Sequence, residues 1–356
     1  MRDELELLSA MVAIPSVSGE EAALAAFVEV TAQSWGLEVL RDDSGVRVSV
    51  GSRRPGPTMA LVSHLDVVPA GKGWTRAPFV PTIEGNRLYG RGSGDAKASV
   101  AAMLWAARDV QESGGVESGR LLLIFGYGEE TKNTTMESAV SKAGPIDAAV
   151  VGEPTNLDIA IAQRGLMMVD LRASGHQRHA AYATTDGEFI NATLVLADDL
   201  LRLGRLFTDR SHPVLGRTAA TPTMLEAGIG RNVTPPVAQA VLDIRSTPDW
   251  THEEIADVLR HSLRSEVVVT SKRLVPCETP QDSRLLAAAR RVRPEAMTFG
   301  SPTCSDWVFL RHTDTIKCGP GTSRRSHTPD EWVDLPEVTA ARSFYGQLVR
   351  DFLGGD

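Results

Sequence analysis

Hydrophobic and polar positions repeat along the chain with two different periods, which predicts helices and strands in turn. Leu5, Leu8 and Val12 recur at helical spacing within residues 2–13, and a segment rich in proline, serine and glycine then ends the helix. The apolar run LLLIFGYG at 121–128 is typical of a strand buried on both faces of a sheet. Because such strands alternate with helical stretches, the pattern indicates an α/β fold.

The pattern changes after residue 164 and changes back after residue 277. Between these points the predicted elements run strand, helix, strand, strand, helix, strand, at 165–174, 191–203, 221–227, 237–246, 251–264 and 266–274. This βαββαβ order is typical of a small α+β domain. We therefore expect a mixed-sheet α/β domain made of residues 1–164 and 278–356, with an α+β domain inserted at 165–277.

Length and composition narrow the function classes. A chain of 356 residues predicts two domains. The net charge of −8 and the lack of any Lys/Arg run longer than two residues argue against nucleic acid as the main partner. We expect no membrane span or signal peptide, since no apolar stretch reaches about 18 residues and the N-terminus is acidic, so the cytoplasm is the simplest location.

Charged side chains follow the predicted buried strands where these strands end. His64 and Asp66 come after the run ALVS, and residues two apart point to the same side of a strand. The other residues placed near predicted strand ends or at the start of a helix are Asp95, Glu129, Glu130, Glu153 and His327. The carboxyl ends of strands are where open α/β sheets bind ligands, so we expect these side chains to converge on one rim.

This set of side chains suits a metal-dependent hydrolase. Two histidines with several carboxylates, and no Cys-x-x-Cys pair, are ligands for zinc, cobalt or manganese. Hydrolysis also needs a general base that is not itself a ligand, and the adjacent pair Glu129 and Glu130 can divide these roles. Neighbouring carboxylates repel each other unless a cation is present, so a buried strand that ends in two glutamates favours a metal site.

Each residue also has a simpler role available when it is considered alone. Asp95 could cap the helix that follows it, Glu153 could be a solvated turn residue, and His327 could cap a turn. Glu129 and Glu130 could be an exposed loop pair. These simpler roles become much less convincing when all of them must apply together at five strand ends.

The chain resembles a known family in five motifs that occur in the family's order. These motifs are SHLDVVPAG, LYGRGSGDAKASVAAML, GEE, VGEPT and GPGTSRRSHTPDEWV. They are similar to those of the acetylornithine deacetylase and succinyl-diaminopimelate desuccinylase family, a group of di-zinc amidohydrolases that also includes aminoacylases and glutamate carboxypeptidases. The resemblance extends over nearly the whole chain.

The resemblance implies a role for each rim residue. The site would bind two metal ions, which are zinc in the family, with cobalt or manganese as alternatives. Their ligands would be His64, Asp95, Glu130, Glu153 and His327. His64 and Glu153 would bind the first ion, Glu130 and His327 the second, and Asp95 would bridge them. Asp66 would orient the imidazole of His64, and Glu129 would be the general base. A cis peptide bond between Asp95 and Ala96 is a further expectation.

The inserted domain resembles the family's lid and dimerisation domain. Its motif ASGHQRHAAYATTDGEFINAT implies that His179 reaches the active site of a partner subunit, which predicts a homodimer. The local match is imperfect, and His176 is a competing candidate. The resemblance also implies that Asn232, Arg245 and Gly321 contact the substrate, although Arg245 could equally pair with Asp243 on the same face of its strand.

The resemblance implies an enzyme that removes the acyl group from an N-acyl amino acid, a small-molecule substrate. N-acetylornithine or N-acetyl-lysine, in arginine or lysine biosynthesis, is the best match. Succinyl-diaminopimelate desuccinylase and metallo-dipeptidase or carboxypeptidase are the alternatives. Asp306 and Glu331 are candidates for binding a cationic substrate side chain. A dimeric binding protein without activity is disfavoured, since every expected ligand and the base are present.

Overall fold

The computed structural model of the protein describes residues 3–52, 54–131, 133–183 and 189–354. The chain forms two units. The first comprises Met1–Ile161, Thr279–Phe299 and Ser305–Asp356, and the second comprises Ala162–Glu278 and Gly300–Cys304. No helix in the described part of the chain is both long and apolar enough to span a lipid bilayer.

The strands of the described residues are numbered in chain order. They are β1 (Glu38–Asp42), β2 (Gly45–Gly51), β3 (Thr58–His64), β4 (Thr82–Glu84), β5 (Arg87–Tyr89), β6 (Arg120–Gly126), β7 (Ala148–Val151), β8 (Ile159–Gln163), β9 (Gly165–Ser174), β10 (Arg178–His179), β11 (Ala219–Ala227), β12 (Val233–Thr234), β13 (Val237–Ser246), β14 (Glu266–Leu274), β15 (Cys277–Glu278), β16 (Thr298–Ser301), β17 (Asp314–Lys317) and β18 (Trp332–Asp334).

The helices are numbered in the same way. They are α1 (Glu4–Val12), α2 (Ala22–Ser34), α3 (Lys97–Glu112), α4 (Thr134–Ala143), α5 (Ala192–Leu203), α6 (His252–Ser262), α7 (Arg284–Val292) and α8 (Leu335–Leu353). Two short 3-10 helices cover Ala180–Tyr182 and Asp306–Leu310.

A mixed sheet forms the centre of the first unit. Through this unit its strand order is β1-β2-β6-β3-β7-β17-β8. The four central strands β6, β3, β7 and β17 are parallel, and the flanking pairs are antiparallel. The predicted mixed α/β fold is therefore confirmed, and the four parallel strands end at the same edge of the sheet.

Helix α3 packs deep in the first unit because most of its side chains, and all those of residues 98–107, are small or apolar. Twelve of its sixteen residues are buried, on every side of the helix. It packs against α1 and α8, whose apolar faces join the same core as the central strands. This packing fixes the amino end of α3, which follows the glycine-rich turn at residues 90–95.

The second unit has an antiparallel sheet with the strand order β11-β13-β9-β14. Along β9, buried residues alternate with less buried ones, and Met167, Val169 and Leu171 belong to a separate core with residues of α5 and α6. A capping box between Thr251 and Glu254 starts α6. The four strands of this sheet and the helices α5 and α6 follow one another in βαββαβ order, and the short strands β10 and β12 form a separate pair.

A partly buried ion-pair network links three helices of the first unit. The carboxylate of Glu4 is 3% exposed, and it accepts hydrogen bonds of 2.7 Å from Thr339 Oγ1 and from Arg342 Nη1. Arg342 also donates to Asp109 on α3 through Nε and Nη2, over 2.6 and 2.7 Å. Burial opposes ionisation of Glu4, but the hydrogen bonds from Thr339 and Arg342 outweigh it and lower the pKa of the carboxyl.

We expect Glu4→Gln to lower the free energy of unfolding by about 1–3 kcal/mol at pH 7, because a buried charged hydrogen bond is lost. Since the folded pKa lies below the unfolded value of about 4.3, the ionised carboxylate stabilises the fold above that pH. Its contribution is lost as the pH falls through the folded pKa, so the difference between variant and wild type should shrink as the pH falls below about 4.3.

Chemical denaturation at several pH values measures this difference. The control is Glu38→Gln on the exposed face of β1, for which we expect a change within about 0.5 kcal/mol. A Glu4→Gln protein as stable as the wild type at pH 7 would contradict the assigned network.

Candidate metal centre

Three strands of the central sheet deliver charged side chains to one edge. His64 is the last residue of β3 and Asp66 follows two residues later, Glu129 and Glu130 follow β6, and Glu153 follows β7. Because β3 pairs in parallel with both β6 and β7, these strand ends are neighbours. The structure thus brings together residues that are widely separated in the sequence.

Two further residues reach this edge from loops. Asp95 ends the glycine-rich turn before α3, and its peptide bond to Ala96 is cis, as predicted. His327 lies on the loop after β17, with a left-handed backbone φ of 64°. Both side chains enter the group formed by the strand ends.

The nitrogen and oxygen atoms of these side chains form two groups that share Asp95. In the first, His64 Nε2 lies 3.3 Å from Asp95 Oδ1 and 3.8 Å from Glu153 Oε1. In the second, His327 Nε2 lies 2.9 Å from the carboxylate of Glu130 and 3.7 Å from Asp95 Oδ2. The two oxygens of Asp95 therefore face different histidines.

The arrangement fits divalent cations. One ligand atom each of His64, Asp95 and Glu130 lies within 4.8 Å of the other two, so the two groups are close to each other. Ligands held about 2.0–2.2 Å from an ion are themselves separated by about 3–4 Å, which matches the spacing in both groups. Glu153 Oε1 is buried, and no described residue forms a hydrogen bond to it, which is unfavourable for a carboxylate unless a cation binds there.

The electrostatics of the site also favour bound cations. Burial and the negative charge of Asp95 raise the pKa of Glu153 to about 8. Burial likewise raises the pKa of Glu129, and Glu153 adds to this effect. Burial alone would lower the pKa of His64, but the carboxylates of Asp66 and Asp95 raise it well above its usual value. The neighbouring carboxylates contribute to all three shifts, and divalent cations would offset their negative charge.

Asp66 orients the backbone of the rim as well as the imidazole. His64 Nδ1 lies 3.0 Å from the carbonyl oxygen of Asp66 and 3.4 Å from Oδ1, which directs Nε2 toward Asp95. The carboxylate of Asp66 accepts hydrogen bonds from the backbone N–H groups of Glu129 and Glu130, each over 3.0 Å.

Ser18 completes the surroundings of this carboxylate. Its hydroxyl donates to Asp66 Oδ2 over 2.7 Å. Burial alone would raise the pKa of Asp66, but the hydrogen bonds from His64 and Ser18 help to lower it to about 2, so this side chain is ionised at neutral pH. Ser18 was not predicted from the sequence, since a serine after a proline-containing break has many ordinary roles.

The two acidic residues considered for a cationic substrate group are both buried. Asp306 is 1% exposed, and Asn133 Nδ2 donates to its Oδ1 over 3.3 Å. Glu331 is also 1% exposed, and its carboxylate accepts hydrogen bonds from Arg91 and from three backbone N–H groups. Glu331 is therefore occupied by internal partners and is not available to a substrate ammonium group.

The proposed lid histidines lie in the second unit, and both are exposed. Nδ1 of His179 accepts a hydrogen bond from the backbone N–H of Ala181 over 3.2 Å, and Nδ1 of His176 accepts one from Ile190 over 3.3 Å. A neutral ring with this arrangement carries its proton on Nε2, where it can donate to a ligand. Residues 184–188 of the lid motif lie outside the described part of the chain.

The remaining predicted contact residues have local partners. Arg245 donates from Nε and Nη2 to Asp243 over 2.7 and 3.0 Å, which is the pairing that the sequence left open. Asn232 is exposed, and its backbone carbonyl oxygen accepts a hydrogen bond from the backbone N–H of Ala180. In the first unit, the N–H of Gly321 donates to Glu337 over 2.8 Å.

The mixed α/β sheet and the histidine and carboxylate groups at its edge define the class of protein, a metal-dependent hydrolase. The chain belongs to peptidase family M20/M25/M40, whose sequence model matches residues 60–351. It is accordingly an enzyme that hydrolyses amide or peptide bonds, and the family resemblance seen in the sequence is confirmed.

Two sequence relatives span almost the full length of the chain. Succinyl-diaminopimelate desuccinylase 2 of Ruegeria sp. (strain TM1040) is 30% identical over 99% of this chain and 96% of its own length. Acetylornithine deacetylase of Proteus mirabilis is 26% identical over 98% of this chain and 96% of its own length.

Solved structures of the same family share the fold. Aminopeptidase PepT from Bacillus cereus superposes with a TM-score of 0.82 and 18% identity, over 98% of both chains. The YXEP protein of Bacillus subtilis, described as a dinuclear metal-binding peptidase of family M20, gives a TM-score of 0.77 at 15% identity, over 99% of this chain and 98% of its own. At these identities the likeness shows the fold alone.

We expect Asp66→Asn to destabilise the chelator-treated protein by about 1–3 kcal/mol. The asparagine amide would place its own N–H groups against donors that now bind a carboxylate, and a buried donor without an acceptor is costly. The control is Ser18→Ala, which removes a single donor and should cost about 0.5–1.5 kcal/mol. Chemical denaturation compares the two variants, and an Asp66→Asn protein no less stable than Ser18→Ala would contradict this assignment.

Proposed function

We propose that the protein hydrolyses the amide bond of an N-acyl amino acid at a site that binds two divalent metal ions, with zinc as the first choice and cobalt or manganese as alternatives. The observation that carries the proposal is the pair of ligand groups on either side of Asp95, one containing His64 and the other containing His327. Two ions about 3.5–4 Å apart are common in enzymes that hydrolyse such bonds.

Each ion would have its own ligands. The first would be bound by His64 and Glu153, the second by Glu130 and His327, and Asp95 would contribute one oxygen to each. Bound at this position, the ions would acidify a water molecule and polarise the scissile carbonyl group. Imidazole nitrogens and carboxylate oxygens are the donors that zinc prefers when cysteine is absent.

Glu129 is the proposed general base. It is adjacent to Glu130, and its backbone N–H is fixed by Asp66, so its position relative to the ligands is set by the same carboxylate that orients His64. Its carboxylate would take a proton from the attacking water and later donate that proton to the nitrogen of the leaving amine. Such proton transfers contribute about 10²–10⁴-fold to rate in enzymes.

The proposed substrate is N-acetylornithine or a similar N-acetyl amino acid, because the VGEPT and HTPDEW segments resemble the deacetylase branch most closely. A second candidate is N-succinyl-diaminopimelate, which is favoured by the higher identity to the desuccinylase relative. The occupation of Glu331 by internal partners also removes one of the two acidic residues considered for an ornithine side chain. Both substrates contain an N-acyl amide bond that is hydrolysed in the same way, and their acyl groups differ in charge.

The second unit is the proposed lid and dimerisation domain, and its assignment to residues 165–277 stays a prediction. Strand β11 lies at the edge of its sheet and exposes Met224 and Leu225, by 67% and 65%. An edge strand with exposed apolar side chains is a suitable surface for pairing with a second copy. In a homodimer of this kind, His179 of one subunit would donate to the carbonyl oxygen of a substrate held by the other, with Asn232 and Arg245 contacting its polar groups.

We expect chelator-treated protein to be inactive and to recover hydrolysis of an N-acyl amino acid after zinc or cobalt is added. N-acetyl-L-ornithine, N-acetyl-L-lysine and N-succinyl-diaminopimelate form the assay panel, and release of the free amine is measured. Preference for the succinyl substrate would select the second candidate. Inactivity on all three substrates, with two metal ions bound per chain, would contradict the proposed substrate class.

Two variants distinguish the proposed general base, Glu129, from the proposed metal ligand, Glu130. Glu129→Gln should lower the rate about 10²–10⁴-fold and still bind two metal ions, because it removes only the proton acceptor. Glu130→Gln should bind fewer metal ions than the wild type, as judged by elemental analysis after gel filtration. Full activity in metal-loaded Glu129→Gln would contradict the mechanism.

We expect His179→Ala to lower the turnover number about 10²–10³-fold, as loss of one oxyanion donor does, while His176→Ala serves as the matched control. If His179 acts across the dimer, mixing the inactive His179→Ala and Glu129→Gln proteins should restore part of the activity. A heterodimer would then combine an intact Glu129 with an intact His179. A monomer by light scattering, or no recovery after subunit exchange, would contradict this role.

A further inference from the structure

The carboxylate of Glu331 lies where two loops of the first unit meet. Arg91 Nη1 donates to its Oε2 over 2.6 Å, and the backbone N–H of Gly92 donates to the same oxygen over 3.1 Å. The backbone N–H groups of Gly94 and Asp95 each donate to Oε1 over 3.0 Å. Because a carboxylate has about four lone-pair positions, these four donors use its whole accepting capacity.

The glycine-rich turn is shaped to hold this carboxylate. Gly92 has a φ of +81°, and a side chain there would place its Cβ 2.5 Å from Val67 Cγ1, so no larger residue fits. Successive backbone N–H groups that point to the same side form a concavity that binds anions. Here the anion is supplied by the protein itself, from a residue 236 positions away from Asp95.

The same residue also fixes the loop that carries His327. The carbonyl oxygen of Glu331 accepts the N–H of Gly90 over 2.9 Å, so both its backbone and its side chain are bonded to the glycine-rich turn. Asp95 is the last residue of that turn, and His327 precedes Glu331 by four residues. The distance of 3.7 Å between Asp95 Oδ2 and His327 Nε2 therefore depends on the position of Glu331.

We propose that Glu331 is a positioning residue, whose carboxylate holds Asp95 and His327 at the separation that the second metal ion requires. This inference rests on the proposed function for the identity of the ligands. Glu331 itself does not contact the ion or the substrate, because its oxygens are occupied by Arg91 and by backbone N–H groups.

The test is a titration of metal-free protein with Co²⁺, followed by the visible absorption of the bound ion. In Glu331→Gln, the amide would leave Arg91 without its ion pair and would place N–H groups against backbone donors. We expect the dissociation constant of the Co²⁺ ion bound by Glu130 and His327 to rise about 10–100-fold, as it does when groups that orient metal ligands are replaced.

Glu4→Gln is the matched control. Glu4 is also a buried carboxylate of the first unit bonded to an arginine, Arg342, but its partners lie on the helices and not on the rim loops. Both variants should lose stability in chemical denaturation, and only Glu331→Gln should change the cobalt titration. Unchanged cobalt binding in Glu331→Gln, or equal weakening in both variants, would overturn the proposal.

A second variant keeps the test available if metal-free Glu331→Gln does not fold. Arg91→Gln leaves the backbone N–H donors in place and removes only the guanidinium, and it should also weaken the second Co²⁺. An Arg91→Gln protein that binds both ions as the wild type does would then overturn the proposal.

The titration and the hydrolysis assay can fail separately. Wild-type protein that binds two Co²⁺ ions and hydrolyses no N-acyl amino acid would contradict the proposed function and leave the role of Glu331 standing. If the wild-type protein is active and the Glu331→Gln variant binds Co²⁺ as tightly as the wild type does, only the role of Glu331 would be contradicted.

Discussion

Parallel pairing of the central strands is the constraint on which the site depends. His64 pairs with Gly126 at the end of β6, and Val62 pairs with Val151 at the end of β7, so the residues that follow these strands must enter the same small volume. Asp66, Glu129, Glu130 and Glu153 are among those residues, and burial together with the negative charge of Asp95 raises the pKa of Glu153 to about 8. The sheet register therefore creates an excess of negative charge that divalent cations can offset.

A second set of interactions fixes the backbone rather than the ligand atoms. Asp66 bonds to the N–H groups of Glu129 and Glu130, and Glu331 bonds to the turn that ends at Asp95. Both carboxylates are buried, and both accept several hydrogen bonds, so each joins segments that are far apart in the chain. The rim loops are thus held by internal anions, which leaves the ligand side chains free to face the cations.

Much of the fold follows from local sequence patterns. Long apolar or alternating runs predicted β3, β6, β9 and β13 within one or two residues, and the small and apolar positions after Asp95 predicted α3. Short strands such as β4, β8 and β18 were missed, because three to five residues carry too little periodicity to distinguish a strand from a loop.

The convergence of the candidate ligands was also predictable, since each follows a strand or opens a helix, and the structure brings these side chains together at one edge of the sheet. The interactions behind them were not predictable. Ser18 lies 48 residues from Asp66, and Glu331 lies 236 residues from Asp95, so no local pattern connects either pair. Glu331 was considered as a substrate contact from its place in the sequence, and only the structure shows that internal donors occupy it.

X-ray diffraction from zinc-loaded crystals at the zinc absorption edge would determine whether Asp95 bridges two metal ions. We expect two anomalous peaks about 3.5–4 Å apart, one beside His64 and Glu153 and the other beside Glu130 and His327. A single peak, or peaks that do not contact Asp95, would contradict this bridging role.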